Sequence, residues 1–432
     1  MKKEADKYRG TDVELEVAGG GGGLFLFNQR TFSSLKNPVY RLYYGGMLGQ
    51  MASMNMQMLA RSLLIWRLTG SAAILGVMAL ATALPLLFLS LFGGVIADRV
   101  QKKYVMIVGQ ASSAVVSLGI ALALTLGYLS LEHAGSWWIL IVASVLQGTI
   151  LGLMMPSRQA ILREIVSEEQ LMNAVALNTL GMNTLRLLAP AAAGFLIDAF
   201  DFKAVYYAMT GMYLMAVVFI AFIPPTGTMT VRGIGALASI REGLKYIRHE
   251  RTILSILLFT LVAVILSMPY ILLMPIFADD ILKVGATGMG VLLSVSGIGA
   301  IAGSLTLASL PNKKRGTMLL VSSLILGLAL VGFSLSSSWY LSLALIVFVG
   351  LGQTGRMTLG NTLLQYYTED EYRGRVMSVY LMEFGLMSFG VFTAGLIAEA
   401  IGVQWAVGGF AIVLVFLSIL TLAFVPRLRK LD

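Results

Sequence analysis

No cysteine occurs anywhere in the 432-residue chain. That excludes disulfides, thiolate metal sites and a cysteine nucleophile. Histidine is nearly absent: His133 and His249 are the only two, and both sit in polar connections. Zinc catalysis and a Ser-His-Asp triad inside the membrane are poorly supported, so no metal site, no cofactor and no catalytic group is expected. A phosphate-cradling G-x-x-x-x-G-K-[ST] loop is missing as well, which argues against ATP hydrolysis by this chain. Charge is the third scarcity. Only 12% of residues are charged, against about a quarter in soluble globular proteins. Hydrophobic residues make up 57%, and the mean hydropathy is +0.84. So few charges cannot coat a water-exposed surface, and a multi-pass membrane protein is the expected class.

A helix needs about 20 apolar residues to cross a bilayer. Twelve stretches qualify: 42–66, 73–97, 104–130, 137–157, 172–199, 203–224, 252–277, 285–310, 316–336, 339–365, 374–399 and 404–426. The expected fold is therefore an all-α membrane protein of twelve transmembrane helices. Residues 1–23 are polar and end in the run Gly19 to Gly23, which reads as a flexible tail. The tail is not expected to be a signal peptide, because its charged region is too long and no cleavage site precedes helix 1.

Lysine and arginine gather in cytoplasmic loops. With the N-terminus placed inside, seven of the 31 precede or open helix 1, and eighteen fall in the even-numbered connections and the C-terminus. Only Arg67, Lys203 and Lys283 fall on the other side. Both termini are expected to be cytoplasmic. The net charge of +9 then needs no nucleic-acid partner.

Residues 136–182 and 338–384 align without a gap at an offset of 202. Trp137 meets Trp339, Gly148 meets Gly350, and the acidic turn Ser167-Glu168-Glu169 meets Glu369-Asp370-Glu371. Two six-helix pseudo-repeats of like orientation follow the parallel-repeat plan of major facilitator transporters. The expected organisation is a cytoplasmic tail and lead-in over 1–40, an N-terminal six-helix bundle over 41–224, a cytoplasmic linker with an amphipathic helix over 225–251, and a C-terminal six-helix bundle with a short tail over 252–432.

Between helices 2 and 3 lies "FGGVIADRVQKKY", which packs Asp98, Arg99, Lys102 and Lys103 into six residues. It resembles the signature loop of the major facilitator superfamily, G-x-x-x-D-R-x-G-R-R/K. Gly94, Asp98, Arg99, Lys102 and Lys103 fall on its positions, and Gln101 replaces the second glycine. The counterpart "GSLTLASLPNKKRG" keeps Lys313, Lys314 and Arg315 but lacks the aspartate. "NPVYRLYYGGMLGQ", "WRLTGSAAILGV", "MMPSRQAILREIV", "IREGLKYIRHERTI" and "RGRVMSVYLMEFG" together resemble the branch that includes the enterobactin exporter and related bacterial efflux proteins. The resemblance implies alternating access with one central site between the halves, helices 1, 4, 7 and 10 lining it. It also implies that Asp98 latches the halves together at the cytoplasmic side, near Arg373 and Arg375 at the start of helix 11. A helix N-terminus attracts such an anion. Arg99 and Lys102 would hold that cluster, while Lys103 is read as a topology anchor.

Ionisable groups within spans are costly and usually face a cavity. On helix 1, Met47, Gln50, Met54, Gln57 and Arg61 recur at spacings of 3 and 4, one helical face. The stripe offers thioethers, amides and a cation to a substrate, unless the methionines pack and Arg61 snorkels outward. On helix 5, Asn183, Arg186, Pro190 and Gly194 share a face. "NTLRLLAPAAAGFL" resembles a degenerate glycine-proline motif of antiporters, in which Pro190 and Gly194 permit close approach and a bend. Arg186 is either a site residue or an interhelical donor. Arg356 on helix 10 and Glu383 on helix 11 lie at similar depth. They are read as a buried ion pair that either takes part in proton coupling or simply ties the helices. Asp198, Asp279, Asp280 and Glu399 lie near outer ends.

Three intramembrane arginines against one glutamate favour a substrate with an anionic or strongly polar group. The expected function is a proton-coupled secondary exporter of an amphipathic small molecule, a siderophore-like metabolite or a drug. Its expected place is a bacterial inner membrane, acting as a monomer in the lipid bilayer. The alternatives are a facilitator or importer, including one for lipids, and a non-transporting receptor on the same fold.

Overall fold

The computed structural model describes residues 32–130, 132–133, 135–225, 236–311 and 313–432, without the side chains of residues 91, 95, 97, 98 and 236–241. The glycine-run tail lies outside the described residues. A 3-10 turn at Ser33–Lys36 leads into α1 (Pro38–Thr69), α2 (Ala72–Arg99), α3 (Lys102–Thr125), α4 (Trp138–Ile165) and α5 (Glu168–Ala221). Then come α6 (Ala236–His249), α7 (Arg251–Ser267), the short α8 (Pro269–Leu272) and α9 (Met274–Ile276), and a π turn at Phe277–Ile281. The remainder is α10 (Gly285–Ser309), α11 (Arg315–Leu335), α12 (Trp339–Tyr367), α13 (Asp370–Leu381), α14 (Glu383–Ile401), α15 (Val403–Phe424) and α16 (Pro426–Arg429).

Local chemistry sets the ends. Asn37 caps α1 by accepting from the N–H groups of Val39 and Tyr40, with Pro38 fitting the first turn, where no N–H is needed. Gly70 stops the helix in the left-handed region at φ 61, and Ser71 then caps α2. Ten helices among the described residues are long and apolar enough to cross a membrane. Twelve spans were expected, and two elements account for the difference. The 54-residue α5 holds a left-handed break at Asp201 (φ 73), so it contains the expected helices 5 and 6 in one run. α1 carries Gln50, Asn55, Gln57 and Arg61, which lower its hydropathy.

Several expected boundaries shift. α4 continues to Ile165, so Arg158 lies inside a helix and not in a connection. Helix 11 starts at Asp370, ahead of the expected 374, and breaks at Met382 into α13 and α14. Expected helix 7 is likewise broken after Ser267, where Pro269 cannot donate to the ladder.

In the first half of the chain α1 packs on α5, α2 on α4, and α3 on both α4 and α5. In the second, α10 and α11 pack on α12, α11 and α14 on α15, and α7 on α12 and α14. The extensive contacts between halves are α2 with α14 and α5 with α10.

Candidate functional site

Both inter-half seams are close at the end of the bundle where α1 passes into α2, and glycine makes them so. A Cβ at Gly395 would meet the Ala72 carbonyl at 2.5 Å, and one at Gly76 would meet the Phe392 backbone at 2.8 Å. Further in, Gly385 sits against Leu87. On the other seam Gly194 faces the Ala286 carbonyl, Gly290 faces that of Pro190, and Ser294 donates to the Leu187 carbonyl. Pro190 and Gly194 thus take the close-approach position expected of them, against α10.

Carboxylates fasten this end. Glu399, at the end of α14, accepts from Ser71 Oγ (3.1 Å) and from the N–H groups of Ala72 (2.7 Å) and Ala73 (3.3 Å), capping α2 of the other half. Asp198 does the same for α10, accepting from the Thr287 N–H at 2.7 Å. Arg67 grips Asp279 through two hydrogen bonds at 2.8 and 3.1 Å and lies over the Phe202 ring. That ion pair is partly solvent-exposed, so Asp279→Asn is expected to cost no more than about 1 kcal/mol. Glu399→Ala strips three donors at a helix start and is expected to weaken the closed end by about 1–2 kcal/mol. Cysteine-labelling rates at this end, in a chain otherwise free of cysteine, rank the two variants.

Deeper in the second half is a polar cluster. Glu383 is 5% exposed and begins α14, where the helix N-terminus favours a carboxylate. It accepts from Thr260 Oγ1 of α7 at 2.5 Å. Arg356 is 2% exposed and within electrostatic range of Glu383 and Tyr380, yet no ion pair forms. This corrects the expected pair: Thr260 takes the carboxylate, and Nε and Nη1 of Arg356 are buried without a hydrogen-bond partner among the described residues. One turn away, Gln353 accepts from Tyr270 Oη at 3.3 Å and directs its amide at Met268 sulfur. Tyr270 is in electrostatic range of Arg186, across the halves, although Arg186 and Asn183 are themselves exposed.

In the first half Gln50 and Gln57 are buried, and Gln50 reaches Met154 sulfur at 3.9 Å. Met47 and the half-buried Met54 join the apolar cluster around Tyr40 and Met154. Arg61 does not snorkel outward: its Nε and Nη1 are buried and unpartnered among the described residues, with Tyr206 and Tyr213 as its electrostatic neighbours. Reading the sequence for charge alone missed Thr260, Tyr270, Gln353, Tyr380, Tyr206 and Tyr213. Gln353 carried a signal, being three residues before Arg356 and so on its face.

The expected latch residues are placed unevenly. The Asp98 side chain lies outside the described residues. Gly94 has open space where a Cβ would be, Arg99 is exposed, and Lys102 pairs with Glu164 at 2.5 Å. Lys103 donates to the Ala221 carbonyl at 2.8 Å, tying α3 to the end of α5. Arg373 pairs within its own helix with Asp370, and Arg375 pairs with Glu242 of α6 at 2.9 Å. Tyr246 of α6 stacks on Tyr372, with ring centroids 4.1 Å apart.

A bundle of long apolar helices, joined at one end by glycine seams and holding buried ionisable groups, is the architecture of a multi-pass membrane protein. Residues 29–432 match the family described as transmembrane secretion effector, and the chain belongs to that family of major facilitator transporters. It is 23% identical to the Staphyloferrin A transporter of Staphylococcus aureus over 84% of this chain and 89% of that one. It is 24% identical to the enterobactin exporter EntS of Shigella flexneri over 78% and 76%. A bacterial homolog of the human lysosomal transporter Spinster, inward-facing and unoccupied, shares the fold at a TM-score of 0.69 and 13% identity, covering 94% of this chain and 98% of that one. The chain is a multi-pass membrane transporter of a small molecule and not an enzyme.

Proposed function

We propose that the protein exports an amphipathic small molecule, siderophore-like or drug-like, in exchange for protons. It does so by alternating access between two six-helix halves, as a monomer in a bacterial inner membrane with both termini cytoplasmic. The observation that carries this reading is Glu383. It is a buried carboxylate at a helix break, two residues from Gly385, where the α2–α14 seam reaches mid-depth. A proton taken there changes charge at the point where the sealed end of the bundle meets the rest. The substrate's polar end is assigned from Arg61 and Arg356: each has two buried nitrogens, Nε and Nη1, that no protein acceptor meets among the described residues. Buried donors of this kind call for an acceptor, and an anionic group on the substrate supplies one. The distribution of lysines and arginines supports a periplasmic place for the fastened end. Arg373 and Arg375, near which the latch is expected, are held by Asp370 and Glu242.

The test uses everted vesicles with an imposed pH gradient, adding anionic, zwitterionic and cationic amphipaths in turn while lumenal pH is followed. Gradient collapse driven by the anionic compounds and lost in Asp98→Asn is expected. Binding without collapse for every compound would move the reading to a facilitator or a receptor.

A further inference from the structure

α10 and α11 follow each other in sequence and both pack on α12, α10 also on α5 and α11 also on α15. Where they diverge, near their connecting turn, they leave a groove of about 560 Å³. Leu307, Met318 and Val321 form its walls, and Leu351 and Gly355 of α12 its floor. Beside it the helices present exposed apolar side chains such as Leu305 and Leu328, the kind of surface that faces hydrocarbon. The groove's rim is thus flanked by the kind of surface that faces the bilayer.

Its mouth is charged. Lys313 and Lys314 line it from the turn, and both are exposed. The turn is fixed: Lys314 is left-handed (φ 56), and its N–H donates to the Asp432 carboxylate at 2.7 Å. Neither ammonium group joins an ion pair among the described residues. The contrast is the corresponding α2–α3 turn, where Lys102 is neutralised by Glu164. Cations at a helix end stand at headgroup level, and basic pockets between membrane helices attract anionic headgroups.

We propose that this groove holds one anionic phospholipid, with an acyl chain along α12 and the phosphate on Lys313 and Lys314. A free anion leaves the apolar walls uncovered, and a zwitterionic lipid brings no net charge to the lysines. The proposal does not depend on the proposed substrate or its coupling ion.

The test uses the full chain carrying Thr306→Cys, a unique thiol on the groove wall, labelled with a fluorophore in phosphatidylcholine nanodiscs. Phosphatidylglycerol or phosphatidylcholine bearing a chain-end doxyl quencher is added as a trace component. Stronger quenching by the phosphatidylglycerol is expected, its preference falling roughly fivefold for each lysine replaced in Lys313→Gln and Lys314→Gln. Val321→Trp should fill the groove and reduce quenching by either lipid, while inorganic phosphate should displace nothing. Equal quenching by the two lipids, a preference that survives the double lysine variant, or displacement by inorganic phosphate would each overturn the proposal. The lysine variants lie on an exposed turn and keep the test decisive even where Val321→Trp fails to fold.

Discussion

Glu383→Gln is expected to abolish uphill, proton-driven export while leaving downhill exchange and the fold intact. Glutamine fills the same volume and still offers an oxygen to Thr260 Oγ1, so the 2.5 Å contact that ties α7 to α14 has a replacement. What disappears is the exchangeable proton, and with it the charge change beside the α2–α14 seam. Thr260→Val removes the hydroxyl donor instead and leaves the carboxylate unmatched. It is expected to cost about 1–3 kcal/mol of stability, as for a buried acceptor stripped of its partner, while uphill transport persists at a reduced rate. The pair of variants separates proton carriage from helix anchoring. Counterflow and gradient-driven uptake in the same vesicles provide the measurement. Uphill transport surviving in Glu383→Gln would remove this carboxylate from the coupling step.

Gly194→Leu is expected to hold the fastened end of the bundle open. Its Cβ would run into the Ala286 carbonyl, which is backbone and cannot rotate away. Overpacking of this kind costs about 1–3 kcal/mol. Set against a conformational equilibrium near balance, that is a shift of roughly 5- to 150-fold toward the open arrangement. Transport should fall to background, because a carrier that cannot close one end cannot alternate. Spin labels at Tyr128→Cys and Tyr340→Cys, both strongly exposed positions near that end, should move apart in Gly194→Leu and less so in Gly194→Ala. An unchanged distance distribution would show that the α5–α10 seam yields without opening. The reciprocal substitution Gly290→Leu attacks the same seam from α10 and is expected to reproduce the effect.

The helical class was legible because hydropathy alone dictates it: long apolar stretches with charged turns admit few other solutions. The family was legible in the Asp98–Lys103 turn and the internal repeat. The fine structure of the site was not. Arg356 and Glu383 have matching depth, and depth is what a linear sequence reports. Which way each side chain turns around its helix depends on where α12, α13 and α14 sit, and on the break at Met382 that nothing in "SVYLMEFGLMS" announces. Thr260 lies more than a hundred residues from Glu383, so its hydroxyl could only be paired with the carboxylate after folding. Asp198, Asp279 and Glu399 read in the sequence only as acids near outer ends. Their work is invisible in the sequence, because each partner belongs to the other half of the chain. Arg61 was legible as an intramembrane cation, while its neighbours Tyr206 and Tyr213 are contributed by the part of α5 beyond the Asp201 break.

The glycine seams also set a thermal character for the conformational switch. Where Gly76, Gly395, Gly194 and Gly290 let backbone meet backbone, there are few long side chains to freeze into single rotamers as the surfaces join. A zipper of leucines or methionines would surrender rotamer entropy residue by residue, about 0.5–2 kcal/mol for each side chain ordered. Joining and parting here leave that disorder almost untouched. In lipid, helix contact brings no aqueous hydrophobic gain either. The balance between the two arrangements is thus left to close backbone packing and a handful of hydrogen bonds at Glu399, Asp198, Arg67 and Ser294. A switch of that composition varies gently with temperature, and small changes in those few bonds are enough to retune it.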